Sequence, residues 1–381
     1  MDVDTIPAFL QDQEIESAMN LEGAFSEFED QWRRRQWHQL TSSLVEFYKD
    51  EESAPQRLTM YNNFVIKFAD KINQLKLVAI ALSTSTQCRD DKERLVFLQT
   101  LVTRVDKPSS QDAFVFAITE LGRVKLSLED LTGARADLGR AGEMLDSLDS
   151  VDNVVHASFY RVNADYYGVK QDFTLYYRNA LLYLACVQLS DLSQEDRHRR
   201  AYTLGIAALL SDKIYNFGEL LLHPLLESLK KTPEAWLGEM LFAFNRGDLN
   251  AFQKLSHHIK SEPSLANHKT FLYQKIHLAA LTEAVFQRPP HDRALPFSTI
   301  AHEAKVKNNE IEPLIMKALS LGLLKGTIDE VDQLARIHWV QPKVLDMGQI
   351  KGMRSRLAEW DDSVDKLGTW MESLGRDVWA A

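Results

Sequence analysis

Of the eleven prolines in this 381-residue chain, only Pro7, Pro55 and Pro108 precede residue 224. Proline removes an amide donor and clashes with the preceding turn, so its scarcity, with only 16 glycines in the whole chain, leaves long helices open through the first half. The apolar positions use that freedom. Across residues 21–48, Leu21, Phe25, Phe28, Trp32, Leu40, Leu44, Phe47 and Tyr48 recur mostly at three- and four-residue steps, which predicts helix. The same spacing predicts helices over 58–82, 93–105, 113–128 and 136–148, separated by polar stretches at 50–55 and 107–110. The expectation is antiparallel helix after helix.

A 45 % share of apolar residues excludes a disordered chain, because that much hydrophobic side chain can offset the entropy of ordering. With 44 Lys plus Arg against 54 Asp plus Glu the formal charge is 44 − 54 = −10, which argues against sequence-independent binding of phosphate backbones. Cys88 and Cys186 have no CxxC spacing and cannot build a disulfide framework or a four-thiolate zinc site, so a reducing compartment and buried structural roles are expected. No apolar run approaches the roughly 20 residues that cross a bilayer. Met1-Asp2-Val3-Asp4 lacks the basic and apolar regions of a secretory leader, and the expectation is an intracellular protein with no membrane partner.

Residues 151–189 show a repeating unit most clearly. Phe159-Tyr160 and Ala164-Asp165-Tyr166-Tyr167 sit in one helix that Gly168 ends; Phe173, Tyr177, Ala180, Leu181 and Leu184 mark the next. Ala164 and Ala180 allow close approach, and the pattern resembles a tetratricopeptide hairpin without its Trp and Pro positions. A second hairpin is predicted over 234–255, with Gly247 taking the left-handed turn. Stacked pairs of this kind make a solenoid. The double proline in Gln287-Arg288-Pro289-Pro290-His291 is the sharpest boundary. Beyond it 297–304 reads as a short helix. Asn309 opens another, with Glu312 as its capping-box partner, Pro313 in the first turn, Ile311, Leu314, Ile315, Ala318 and Leu319 as its buried stripe, and Gly322 at its end. Residues 323–329 and 335–340 give a strand pair, so this segment reads as a winged helix. After Pro342, Ile350, Met353, Leu357, Trp360, Val364, Leu367, Met371 and Leu374 alternate steps of three and four, a heptad seam. Each would contribute about 1.5–3 kcal/mol if fully buried, so the stripe predicts a partner, the alternative being a helix folded back on its own solenoid.

This order of parts, with Tyr215-Asn216-Phe217-Gly218-Glu219-Leu220, Met316-Lys317-Ala318-Leu319-Ser320, Gly322-Leu323-Leu324-Lys325-Gly326-Thr327-Ile328-Asp329, Trp339-Val340-Gln341-Pro342 and, earlier, Trp37-His38-Gln39-Leu40-Thr41, resembles the PCI subunits of the proteasome lid, the signalosome and the translation initiation scaffold. The lid subunits are the nearest match. The resemblance implies a mainly all-α fold: helical repeats over 1–165, a PCI domain over 166–345 (hairpins 166–290, winged helix 291–345 with a small β-hairpin) and a bundle helix over 346–381. It implies a non-catalytic scaffold for ubiquitin-dependent degradation, cytoplasmic and nuclear, in a hetero-oligomer with PCI neighbours and the deubiquitinase-containing pair, with no small-molecule substrate. The interface residues expected on this reading are the eight seam positions together with Leu324, Ile328, Ile337 and Trp339 on the wing. Alternatives are a PCI scaffold of the signalosome, translation initiation or an RNA-export complex, or a winged-helix nucleic-acid adaptor.

The residues that could carry chemistry argue against an enzyme. His302-Glu303 begins a zinc-protease HExxH, but Val306 stands where the second imidazole is required. His257-His258 are expected to face different directions on a helix surface. Gly322-Leu323-Leu324-Lys325-Gly326-Thr327 is one residue short of a phosphate loop and reads as a wing entry. No nucleophile elbow occurs, and no catalytic, metal or cofactor residue is expected. Residues 291–345 hold seven cations and seven acids, with Glu310 and Glu312 opening the would-be recognition helix, which opposes DNA binding. Arg33-Arg34-Arg35 and Arg197-His198-Arg199-Arg200 read as solvated faces.

Overall fold

The computed structural model describes residues 5–16, 22–230, 232–288, 293–342 and 347–379. The chain divides into two compact units, Met1–Asp191 and Leu192–Ala381.

The first unit is helical. It holds α1 (Thr5–Glu16), α2 (Glu22–Arg33), α3 (Trp37–Phe47), α4 (Arg57–Met60), α5 (Ile66–Phe68), α6 (Gln74–Ser85), α7 (Asp91–Val105), α8 (Gln111–Ser127), α9 (Leu131–Asp146), α10 (Asn153–Val169) and α11 (Phe173–Cys186). The stretch 21–48, expected to be continuous, is two helices, because Arg35 takes φ +54 and reverses the chain between them. Trp32 and Trp37 then close over the turn, their rings 5.3 Å apart, and Phe25, Phe28 and Phe47 meet edge to face at 5.5–5.9 Å. The stretch 58–82 is also divided. A π-turn at Tyr61–Val65 joins α4 to α5, and Asn73 starts α6 afresh, its Oδ1 accepting from the Leu75 amide at 2.8 Å. Helix α8 is buried on every side over residues 113–122, as a helix at the centre of a unit must be. Its buried Glu120 accepts hydrogen bonds from Arg123 Nε at 2.6 Å and Ser158 Oγ at 2.8 Å. The α10–α11 hairpin forms as its sequence suggests, with Ala164 and Ala180 buried and Gln171 at φ +59 in the turn. Residue 165 lies inside α10. The two free cysteines are half-buried, not buried as expected, since Cys88 lies in the connection after α6 and Cys186 is the last residue of α11.

The second unit begins with α12 (Gln194–Leu210), α13 (Gly218–Leu222), α14 (Ala235–Arg246), α15 (Leu249–Ser261), α16 (Pro263–Ala266) and α17 (Lys269–Phe286). Gly247 ends α14 at φ +66, ψ +26, and Asp248 caps α15 by accepting from the Asn250 and Ala251 amides. Buried Lys275 of α17 terminates α12: its Nζ donates to the carbonyls of Ala208, Leu209 and Ser211 at 2.8, 3.0 and 2.6 Å.

The winged helix follows as β1 (Ala294–Pro296), α18 (Phe297–Ala304), α19 (Asn308–Ser320), β2 (Leu324–Asp329) and β3 (Leu334–Val340). The sequence pattern anticipates both helices and the hairpin but not β1, a three-residue strand too short to show alternation. The sheet is antiparallel in the order β1-β3-β2, with Leu295 opposite Ala335 and Thr327 opposite Arg336. The capping box at Asn309 does not form. Lys307 occupies the N-cap without a side-chain bond, Asn309 is inside the helix, and Pro313 falls past the first turn, where its missing amide leaves the Asn309 carbonyl without its usual donor. Gly322, at φ +70, closes α19: its amide donates to Leu319 O and the Leu323 amide to Ala318 O, both at 3.0 Å. Leu295, Ile300, Ile311, Ile315, Ala318, Leu323, Leu324, Ala335 and Ile337 form one core with Leu278, Leu281 and Val285 of α17. The last helix, α20 (Met347–Trp379), spans 33 residues.

Candidate assembly interface

At a rise of 1.5 Å per residue, α20 is about 50 Å long. Every side chain described over residues 350–373 is exposed. Ile350, Met353, Leu357, Trp360, Val364, Leu367 and Met371 therefore line a bare apolar edge, with Leu357 63 % and Trp360 67 % exposed. The Leu374 side chain lies outside the described residues. Among the described residues of the second unit, none buries the seam side chains. Arg356 Nη2 ties the helix to Gln287 O at 3.2 Å, a contact from beside the stripe. Trp370, 59 % exposed, widens the stripe on one side. Its flanks differ in charge, with Arg354 and Arg356 beside the first half of the stripe and Asp361 beside the second.

The wing residues divide. Leu324 and Ile337, expected at an interface, are 1 % and 4 % exposed and belong to the unit's own core, because each points inward from its strand against α19 and α17. Ile328 packs partly against the same core. Trp339 is half-buried under Lys325, whose Nζ sits 4.7 Å from the ring centroid. What β2 offers is its outer edge, since it is the terminal strand of the sheet, with a bulge between Lys325 and Gly326. Two apolar side chains that the sequence reading passed over are also bare: Val331, 94 % exposed at the wing tip, and Met316 on α19. An apolar residue between Glu330 and Asp332 in a turn was the available signal for the first.

The chemistry-bearing residues lie apart. Helix α18 ends at Ala304 and Lys305 takes φ +51, so Val306 is off the helix that carries His302. Among the described residues no group of three or more His, Cys, Asp or Glu side chains is placed to hold a metal ion. The expectation that His257 and His258 diverge is overturned. Their rings are 3.9 Å apart, because His258 lies flat on Trp236 of α14 at 4.9 Å and draws its ring toward the hairpin. Burial, with His257 beside it, holds the His258 imidazole below its ordinary value. The arginine clusters are engaged with neighbouring groups. Arg33 pairs with Glu29, Arg34 with Asp30 at 3.5 Å, and Arg197 Nε donates to Leu192 O at 2.9 Å.

Three family models match in the order in which the parts occur: "PSD13 N-terminal repeats" over residues 24–241, "PCI domain" over 252–339 and "Rpn9 C-terminal helix" over 343–375. The first alone covers more than half of the chain. The chain belongs to the Rpn9 family of 26S proteasome regulatory subunits. It is 42 % identical to the probable 26S proteasome regulatory subunit rpn9 of Schizosaccharomyces pombe, over 97 % of each chain. It is 38 % identical to the 26S proteasome regulatory subunit RPN9 of Saccharomyces cerevisiae, over 99 % of this chain and 98 % of that one. With the 26S proteasome non-ATPase regulatory subunit 13 homolog B of Arabidopsis thaliana the identity is 34 %, over 94 % and 95 %. The helix carrying the bare seam is thus a named part of the Rpn9 family, and the winged helix is its PCI domain.

Proposed function

We propose that this chain is a structural, non-catalytic subunit of the proteasome regulatory particle, part of the lid, and that it works by interface burial. The observation that carries this reading is α20, a long helix whose described seam side chains are all exposed. Apolar side chains kept in water along such a length favour association, and the heptad spacing favours a helical bundle as its form. On this reading residues 346–381 enter a bundle with other lid subunits, and the β2 edge and the exposed Val331 meet a neighbouring PCI domain. The neighbours are PCI subunits and the deubiquitinase-containing pair, in cytoplasm and nucleus. The chain performs no bond chemistry; it helps hold the deubiquitinase where substrate enters.

The test is replacement of Leu357, Trp360 and Val364 by aspartate in cells that lack the native copy, followed by purification of the lid. The expected result is a lid without this subunit, while the free variant melts as the native chain does. Recovery of complete lid at native yield overturns the role given to the seam.

A further inference from the structure

We propose that the pocket between α3 and the start of α6 docks an acidic segment of a partner protein. Its volume is about 430 Å³, and its lining includes Trp37, His38, Lys71, Ile72 and Lys76 with no carboxylate among them. In a chain of net charge −10 that absence is informative. Several other cations of the same unit do have carboxylate partners: Arg33 with Glu29, Lys125 with Asp137 at 2.6 Å, Lys107 with Asp70 at 2.6 Å. Asp70, next in sequence to Lys71, is therefore already engaged, and the Lys107 ammonium holds its carboxyl below the usual range. Neither Lys71 nor Lys76 makes an ion pair with a described residue; Lys71 Nζ instead rests 4.7 Å above the Trp37 ring.

The floor is rigid. Trp37, half-buried, stacks on Phe68 at 5.8 Å and meets Trp32 edge-on at 5.3 Å, so the indole is held in place at little further cost in side-chain entropy. Two ammonium groups around one fixed indole and one isoleucine suit carboxylates flanking an aromatic or aliphatic side chain: the anions meet Lys71 and Lys76, and the apolar group covers Trp37 and Ile72. A nucleic-acid strand fits less well, since a single aromatic and two lysines cannot track successive phosphates and bases. This inference is independent of the seam, which belongs to the second unit.

The experiment measures fluorescence anisotropy of the full chain with three labelled probes: a peptide of glutamates flanking one phenylalanine, its glutamine counterpart, and an oligouridylate of equal length. The glutamate peptide is expected to bind at least about tenfold more tightly than the glutamine one, and more weakly as salt rises from about 50 to about 300 mM. Lys71→Glu with Lys76→Glu should lower that affinity by about tenfold or more, Lys71→Arg with Lys76→Arg should retain it, and Lys107→Glu, outside the pocket, should leave it unchanged. No binding of the glutamate peptide, equal binding by the double-glutamate variant, loss of binding in the double-arginine variant, an equal loss with Lys107→Glu, or tighter binding of oligouridylate would each overturn the proposal.

Discussion

Gly247 meets two demands at once. Its φ of +66° is a region that side-chained residues occupy only with strain, and a Cβ there would lie 2.6 Å from the Ala280 Cα of α17. Gly247→Ala is therefore expected to lower stability by about 2–4 kcal/mol, read from the urea midpoint, because strain and overlap add. Lys275 poses the opposite problem, a charge within the core. Burial pushes its ammonium from 10.5 down to about 7, with Asp212 opposing. Three carbonyls and the faces of Tyr215 and Phe217, 5.4 and 5.2 Å away, compensate. The folded value lies below the unfolded one, so between about pH 7 and 10.5 the unfolded chain binds more protons, and this group raises stability as pH rises through that window. Thermal melts across it should show the rise in the native chain and a flatter profile in Lys275→Met.

At the scale of the element, α20 is a helix whose described side chains over 350–373 are all exposed, so its own propensity does most to hold it. Gly352 and Gly368 lie in its interior, and a Cβ at either would meet nothing within 4 Å. Gly352→Ala and Gly368→Ala should each favour the helix by about 1 kcal/mol, seen as higher helical circular dichroism of a peptide spanning α20. Helix α19 differs: its Schellman turn at Gly322 and its stripe against α17 fix it inside the winged helix, so its exposed Met316 is displayed by a rigid support.

At the scale of the molecule, each compact unit has its own apolar core, the first around Phe25, Phe28 and Phe64 and the second partly in the winged helix. Residues 1–191 produced alone are expected to unfold cooperatively in a calorimeter. Truncation before residue 347 should leave the melting temperature of the remainder within about 2 °C, since every described side chain over 350–373 is exposed, yet remove the chain from the assembled lid. Retention of the truncated chain in purified lid would show that the PCI domain alone suffices.

Helical class, the order of parts, the wing and the seam were written in local spacing: three- and four-residue steps, the glycines that turn the chain at 247 and 322, branched residues at 324–340. Local pattern carries these because periodicity and turn chemistry act within a few residues. The breaks at Arg35 and within 58–82 escaped it, since apolar spacing continues across a turn when both flanking helices bury the same side. Packing across distant segments settled the rest. It paired β1 with β3, sent Leu324 and Ile337 inward, drew His258 onto Trp236, set Lys275 under the end of α12, and gathered Trp37, Lys71 and Lys76 around one pocket. Which of several apolar or cationic side chains ends in the core and which faces water depends on neighbours far along the chain, and those only the tertiary structure brings together.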